Sequence, residues 1–329
     1  MGIRHLNKFL RVSCPNSIQY TNISDLSGKK IVVDISIYLY KYEAEGLLLE
    51  NIYLMLSIFR YYNIIPIFIF DGKPPQEKKS LLLKRKEDRV QAQEEFNKLK
   101  ELLNNTMEYD DKQEIISNMD QLKRQIVQIS REKIEKVKQL IRAYGATYYD
   151  APGEADELCA SLVIKKQVWG CLSEDMDLFV YGCTRVLRYF SLVGHTIVIY
   201  NMKGILEELN MNHREFKEIC ILSGTDYNLH IDTSNNIVNL DNTVKYFHKY
   251  KSKCKKDNNK STISFYDWLI NTSDYIKDLP LLEKINKMFN LNEEHFNLEI
   301  FKNIKVINGP IRDNEIKDIM YDDGFIFIN

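Results

Sequence analysis

Apolar runs rich in Ile, Val, Phe and Tyr fall near residues 31–36, 65–70, 146–149, 168–173, 185–190 and 196–200. Such short, nearly unbroken runs predict strands buried on both faces. Stretches with helical spacing separate the first four. That alternation predicts an α/β fold with a central, mostly parallel, twisted sheet flanked by helices. The helical stripe is clearest over about 111–143. Met119, Leu122, Ile126 and Ile129 recur at three and four, and Val137, Leu140 and Tyr144 resume the stripe before Gly145 ends it. A second helix is expected over 153–166, after Pro152. Glu154 and Asp156 lie in its first turn, where the helix dipole favours carboxylates.

Residues 73–108 differ in character. They open on Lys73-Pro74-Pro75 and continue charged and weakly amphipathic, which predicts a helical excursion from the sheet. After Asp226 the chain turns polar (DTSNNIVNLDN), then basic (TVKYFHKYKSKCKK), and from about 262 to 329 it is expected to be mainly helical. The expected organisation is a core over 1–232, with a cap over about 73–108, followed by a mainly helical part over 233–329.

The polar positions that interrupt this pattern carry the chemistry. Asp34, Asp71, Glu154, Asp156, Asp175, Asp177 and Asp226 sit in separate short stretches, most of them at the ends of apolar runs. In an open α/β sheet, sites lie outside the carboxyl ends of the strands. One aspartate at a strand end is more often a turn or helix cap. Several on one rim repel each other and cannot all stay ionised without cations among them. Hard cations such as Mg²⁺ or Mn²⁺ suit an all-oxygen site, and two of them would support phosphodiester hydrolysis. The chain therefore reads as a nuclease.

Composition changes the picture only slightly. Lys plus Arg is 45 and Asp plus Glu is 46, for a formal charge of −1. Setting aside the seven clustered acids turns this into +6, which is compatible with DNA binding. The six cysteines form no C-x-x-C and read as small buried hydrophobes in a reducing compartment. The N-terminal stretch lacks the apolar core of a signal peptide, and IIPIFIF is too short to span a bilayer. A soluble protein of the nucleus or cytoplasm is expected, without membrane contact.

The stretches MGIRHLNKFL, VVDISIYLYKY, FIFDGKPPQEKKSLLLKR, YYDAPGEADELCASL, LSEDMDLFVYG and ICILSGTDYN, in this order, resemble the flap endonuclease branch of the XPG-type 5′ nucleases. The resemblance runs from the N-terminus to about residue 228 and implies a PIN-like nuclease core. It implies that the seven acids above are metal ligands for two Mg²⁺ ions, with Mn²⁺ able to substitute, and that Asp34 and Asp177 are central to catalysis. Asp156 stands where the family usually has Glu. Lys78 and Arg85 match the two catalytic basic residues beside the scissile phosphate, Tyr40 matches a base-stacking aromatic, and Gly2 matches a glycine near the site. Lys84 and Arg89 join them as expected nucleic-acid contacts.

Departures from the family pattern are also legible. The helix–two-turn–helix that follows the last aspartate normally carries G-x-G-P-K and a monovalent cation. Here the stretch IDTSNNIVNLDNTVKYF has no glycine pair and no Pro-Lys. Duplex binding is then expected to use Lys249, Lys251, Lys253, Lys255 and Lys256. The segment between Asp34 and Asp71 is shorter than usual, and no clamp-binding box is present. The implied function is cleavage of DNA at a 5′ flap or other single-strand/duplex junction, with 5′→3′ exonuclease activity and a monomeric state. The alternatives are a metal-dependent ribonuclease of related fold and a non-catalytic junction binder, against which the intact set of acids argues.

Overall fold

The structure is a computed structural model that describes residues 3, 5–105, 109–228, 238–256, 263–291 and 306–327. Seven strands form one sheet: β1 (Ile18–Asn22), β2 (Lys30–Asp34), β3 (Ile65–Phe70), β4 (Thr147–Asp150), β5 (Gly170–Leu172), β6 (Arg185–Arg188) and β7 (Thr196–Asn201). Their order is β1-β7-β6-β5-β2-β3-β4. The five strands from β6 to β4 are mutually parallel, while β7 runs antiparallel to both β6 and β1. The expected mostly parallel sheet is present, with one strand more than the apolar runs announced. β1 is an edge strand whose residues are mostly partly or fully exposed, so it carries no apolar run.

Alternation along the strands explains why the central runs look unbroken. Val32, Ile67, Ile69, Cys171 and Val186 face one apolar core, and Ile31, Val33, Phe68, Phe70, Leu172 and Leu187 face the other. A period of two with both faces buried leaves almost no polar position in the strand. The first core is covered by α1 (Leu6–Ser13), α7 (Ala155–Ile164), α8 (Asp177–Val180), α9 (Met202–Leu209), α10 (His213–Ser223), α11 (Leu240–Lys256), α12 (Phe265–Thr272) and α13 (Leu279–Met288). The second is covered by α2 (Ile35–Ala44), α3 (Leu48–Tyr61), α6 (Arg131–Ala143) and the last described helix, Asp313–Tyr321. Cys14, Cys159, Cys171, Cys183 and Cys220 are buried free thiols. No helix among the described residues is long and apolar enough to cross a membrane.

The excursion after β3 is helical, as expected. A short turn, Gln76–Lys78, leads into α4 (Lys79–Asn105), which packs against α5 (Tyr109–Ile126). The single helix expected over 111–143 is instead two, α5 and α6. Ser130 N-caps α6, accepting from the Lys133 N–H, so the backbone leaves the helical path over 127–130. Met119 and Leu122 belong to the buried stripe of α5, and Val137 and Leu140 to that of α6. A continuous stripe in sequence therefore spans a break in structure.

Gly72 decides how closely two connections approach. Its N–H donates to Gly153 O at 2.7 Å. A Cβ on Gly72 would lie 1.9 Å from Ala151 O, so only glycine fits beside the Ala151–Gly153 turn. Gly72→Ala is expected to force these loops apart and to destabilise the protein by roughly 1–3 kcal/mol, as for overpacking. Urea denaturation measures this; an unchanged midpoint would contradict the packing described.

Candidate active site

The parallel strands deliver acids to one end of the sheet. Asp34 is the last residue of β2, Asp71 comes directly after β3, Glu154 and Asp156 lie beyond β4 at the start of α7, and Asp175 and Asp177 lie beyond β5. Asp226 arrives by a different route, in the turn after α10. Gly224 takes φ +115° there, a conformation that favours glycine. Asn228 then ties the turn, accepting from Thr225 Oγ1 at 2.8 Å and donating to Ile221 O at 2.8 Å. Asp34, Asp71, Glu154, Asp156, Asp175 and Asp226 line one cavity of about 150 Å³ together with Tyr40, Lys78 and Arg85. Asp177 is buried beside it.

Local hydrogen bonds fix several of these acids. Ser173 Oγ donates to Asp34 Oδ2 at 2.8 Å and accepts from the Asp175 N–H at 3.1 Å. The Asp177 N–H donates to Asp175 Oδ1 at 3.0 Å. The Ala155 N–H donates to Asp71 Oδ1 at 2.8 Å, which seats Asp71 on the N-terminus of α7, where the helix dipole favours negative charge. Asp177 Oδ1 is buried and has no hydrogen-bond partner among the described residues. A buried carboxylate oxygen left in this state is costly unless a cation completes its environment.

The electrostatics stem from burial and crowding. Burial, then the charge of Asp71, pushes the Asp34 carboxyl up to about 7. Burial and the charge of Glu154 push Asp156 well above the usual carboxylate range, an effect that Lys78 partly offsets. Burial and the charge of Asp175 do the same to Asp177, again opposed by Lys78. Burial alone would lower Lys78, yet the charges of Asp156 and Glu154 hold its ammonium above the ordinary lysine value. Perturbation of this kind, concentrated in one cleft, marks a functional site.

Both basic residues expected at the site are there. Lys78 Nζ donates to Glu154 Oε1 at 2.5 Å, and Arg85 Nη2 to Asp226 Oδ2 at 3.0 Å. The helical excursion thus reaches back to the acids through two ion pairs. Tyr40, on α2, is half exposed at the cavity wall. Lys84 is exposed and Arg89 partly exposed on α4. Tyr227, which sequence reasoning did not single out, donates through Oη to Glu154 Oε2 at 2.9 Å, and the Lys78 ammonium lies 5.3 Å from its ring centroid. Its position directly after Asp226 was the available signal.

The lysines of α11 divide. Lys249 and Lys253 are exposed, over the rings of Tyr246 and Trp268, and line an open groove. Lys251 turns to Glu215 instead, with N···O 2.7 Å. Alternate residues of a helix point in different directions, so Lys251 does not share a row with Lys249 and Lys253. Gly2, the side chains of Lys255 and Lys256, and the stretch 231–237 lie outside the described residues.

Seven carboxylates face two basic side chains, so negative charge is in excess. Among the described residues no three acidic, histidine or cysteine side chains stand close enough together, as placed, to hold a metal ion. The donors present are nevertheless all oxygen, and Asp177 Oδ1 is unpartnered. This donor set fits hard divalent cations.

Comparison with known proteins agrees with this geometry. The XPG N-terminal domain matches residues 1–92 and the XPG I-region residues 145–226. Flap endonuclease 1 of Nematostella vectensis is 32% identical over 245 residues, 69% of this chain and 62% of that protein. The matched region thus spans about three fifths of the length of such relatives. Two solved structures share the fold. The catalytic core of Rad2 in complex with DNA substrate has a TM-score of 0.66 at 20% identity, covering 98% of this chain and 95% of that one. Human GEN1 in complex with Holliday junction DNA has a TM-score of 0.56 at 17% identity, covering 98% and 73%. By its two matched regions, in order, and by its sequence relatives, the chain belongs to the XPG-type flap endonuclease family.

Proposed function

We propose that this protein is a Mg²⁺-dependent, structure-specific 5′ nuclease that hydrolyses DNA phosphodiesters at a 5′ flap or other single-strand/duplex junction, and that also degrades 5′ ends exonucleolytically. One observation carries the reading. Acids from separate, sequence-distant connections meet around a single cavity into which Lys78 and Arg85 also project. No stabilising purpose explains such a concentration of like charge, because it costs folding free energy.

Asp34, Asp71, Glu154, Asp156, Asp175, Asp177 and Asp226 would hold two divalent ions, Mg²⁺ or Mn²⁺. When bound, such ions supply an activated water and charge stabilisation for phosphodiester hydrolysis. The chain's own residues do the rest. Lys78 and Arg85 exchange their carboxylate partners for the scissile phosphate and stabilise the negative charge that develops on it. Tyr40 offers a ring at the cavity wall on which an unpaired base can stack. The α4–α5 pair carries Arg85, and the short turn leading into it carries Lys78, so its placement over the 5′ strand completes the site. Lys249 and Lys253 supply duplex phosphate contacts away from the cavity, and their loss should flatten the salt dependence of binding.

Asp177→Ala is expected to abolish cleavage of a labelled 5′-flap DNA in Mg²⁺ while junction affinity stays within a few-fold of wild type. Cleavage within tenfold of wild type would contradict the assignment. A matched RNA flap, run in parallel, tests the choice of DNA.

Lys78→Ala and Arg85→Ala are each expected to slow single-turnover cleavage about a hundredfold, on the order of 3 kcal/mol of transition-state stabilisation. The rate at saturating enzyme measures this. Wild-type rates with reduced affinity alone would make both residues ordinary phosphate contacts.

A further inference from the structure

Arg188, which is buried, and Glu174, which is partly buried, form an ion pair behind the acids, outside the cavity. Arg188 ends β6, the strand beside β5, and β5 launches the connection that carries Asp175 and Asp177. The Ser173 N–H donates to Leu187 O at 3.1 Å and extends the β5–β6 ladder to the first residue of this connection. The Arg188 side chain then takes over. Its Nη2 donates to Glu174 O at 2.9 Å and lies 3.3 Å from Glu174 Oε2. Its Nη1 donates to Asn7 Oδ1 at 2.8 Å and lies 2.9 Å from Met176 Sδ. One guanidinium therefore holds the residues on both sides of Asp175.

The backbone after β6 completes the grip. Tyr189 has φ +56°, an uncommon conformation for a bulky residue. This geometry accompanies a hydrogen bond from its N–H to Glu174 Oε1 at 2.5 Å. Asn7 of α1 anchors the far side, donating to Tyr189 Oη at 2.6 Å and accepting from Tyr200 Oη at 2.8 Å. Stability alone is a poor explanation for the arrangement. Burying the Arg188 guanidinium costs desolvation that an ion pair often fails to recover relative to apolar residues of similar volume, and among the described residues Arg188 Nε has no partner. The pair does deliver a fixed path for residues 174–176, whose middle carboxylate also orders Asp177 through the bond between the Asp177 N–H and Asp175 Oδ1.

We propose that the Arg188–Glu174 pair is a positioning clamp for divalent-cation binding, holding Asp175 and Asp177 at the separation the ions require. The proposal rests on the metal-dependent reading of the site given above. Neither residue lines the cavity, so both act through the acids they hold.

The test uses the full chain with Glu174→Gln and Arg188→Lys. Glu174→Gln keeps an acceptor for the Tyr189 N–H but removes the charge; Arg188→Lys keeps the charge but cannot reach both sides of Asp175. Three quantities are measured: Mn²⁺ affinity by calorimetry without DNA, flap-DNA affinity in EDTA, and the Mg²⁺ concentration that half-saturates cleavage. Both variants are expected to bind flap DNA as wild type does. Each should bind Mn²⁺ about tenfold or more weakly and need correspondingly more Mg²⁺, as for loss of groups that orient metal ligands. Cleavage should recover toward the wild-type rate at saturating Mg²⁺. Because the two residues form one device, the double variant should lose little more than either single one. Wild-type Mn²⁺ affinity in a folded variant overturns the clamp, whatever happens to stability. Should Arg188→Lys not fold, Glu174→Gln decides the matter alone. An absence of Mn²⁺ binding by the wild type would instead overturn the metal-dependent reading itself, and the clamp with it.

Discussion

Mutual repulsion among carboxylates held at one end of a buried sheet is the constraint around which this molecule is arranged. Asp34, Asp156 and Asp177 are buried, and Asp71, Glu154, Asp175 and Asp226 surround them. Nothing in the apolar cores requires that concentration of charge. It persists because neighbouring groups each offset part of it: the Ser173 hydroxyl on Asp34, the N-terminus of α7 on Asp71, Lys78 on Glu154 and Arg85 on Asp226. These contacts leave Asp177 Oδ1 without a partner among the described residues. The divalent-cation site proposed above would account for the remainder.

The sheet turns distant stretches of chain into neighbours. Parallel strands with both faces buried all end on the same side, so connections from β2, β3, β4 and β5 meet without further instruction. Fine adjustment comes from small features. Gly72 allows the connection after β3 to touch the turn before α7. The Gly224–Asn228 turn brings Asp226 in from a helix rather than a strand. The Lys78 and Arg85 pairs bring α4 to the cavity, so the element that would meet the 5′ strand is tied to the acids themselves.

Much of this was legible in the chain because it rests on local pattern. The doubly buried strands show as apolar runs, and the acids show as polar residues at or just past the ends of those runs. Other features depend on register and escaped notice. β1 reads IQYTN and lies at the sheet edge, so burial leaves no periodic mark on it. The stripe through Ile126 and Val137 continues in sequence although Ser130 restarts the helix between them. Arg188 and Glu174 are fourteen positions apart, and their pairing arises from β6 lying beside β5, which no local pattern records. Lys251 looked like one of a basic run until the facing helix α10 supplied Glu215.

The pH dependence of stability, with and without divalent ions, tests the central claim most directly. The Asp34 carboxyl is raised from 3.8 to about 7 in the folded protein, first by burial and then by the charge of Asp71. Asp156 and Asp177 are raised as well. Between the unfolded and folded values the folded state binds more protons than the unfolded chain, so stability falls as pH rises through that window. At the proposed site, divalent ions would replace the lost protons and favour the ionised acids. The metal-free protein should therefore lose Tm between about pH 5 and pH 7, and Mg²⁺ should raise Tm more at the higher pH. A metal-free Tm that stays level or climbs over this range, unmoved by Mg²⁺, would contradict the account of the acidic cluster.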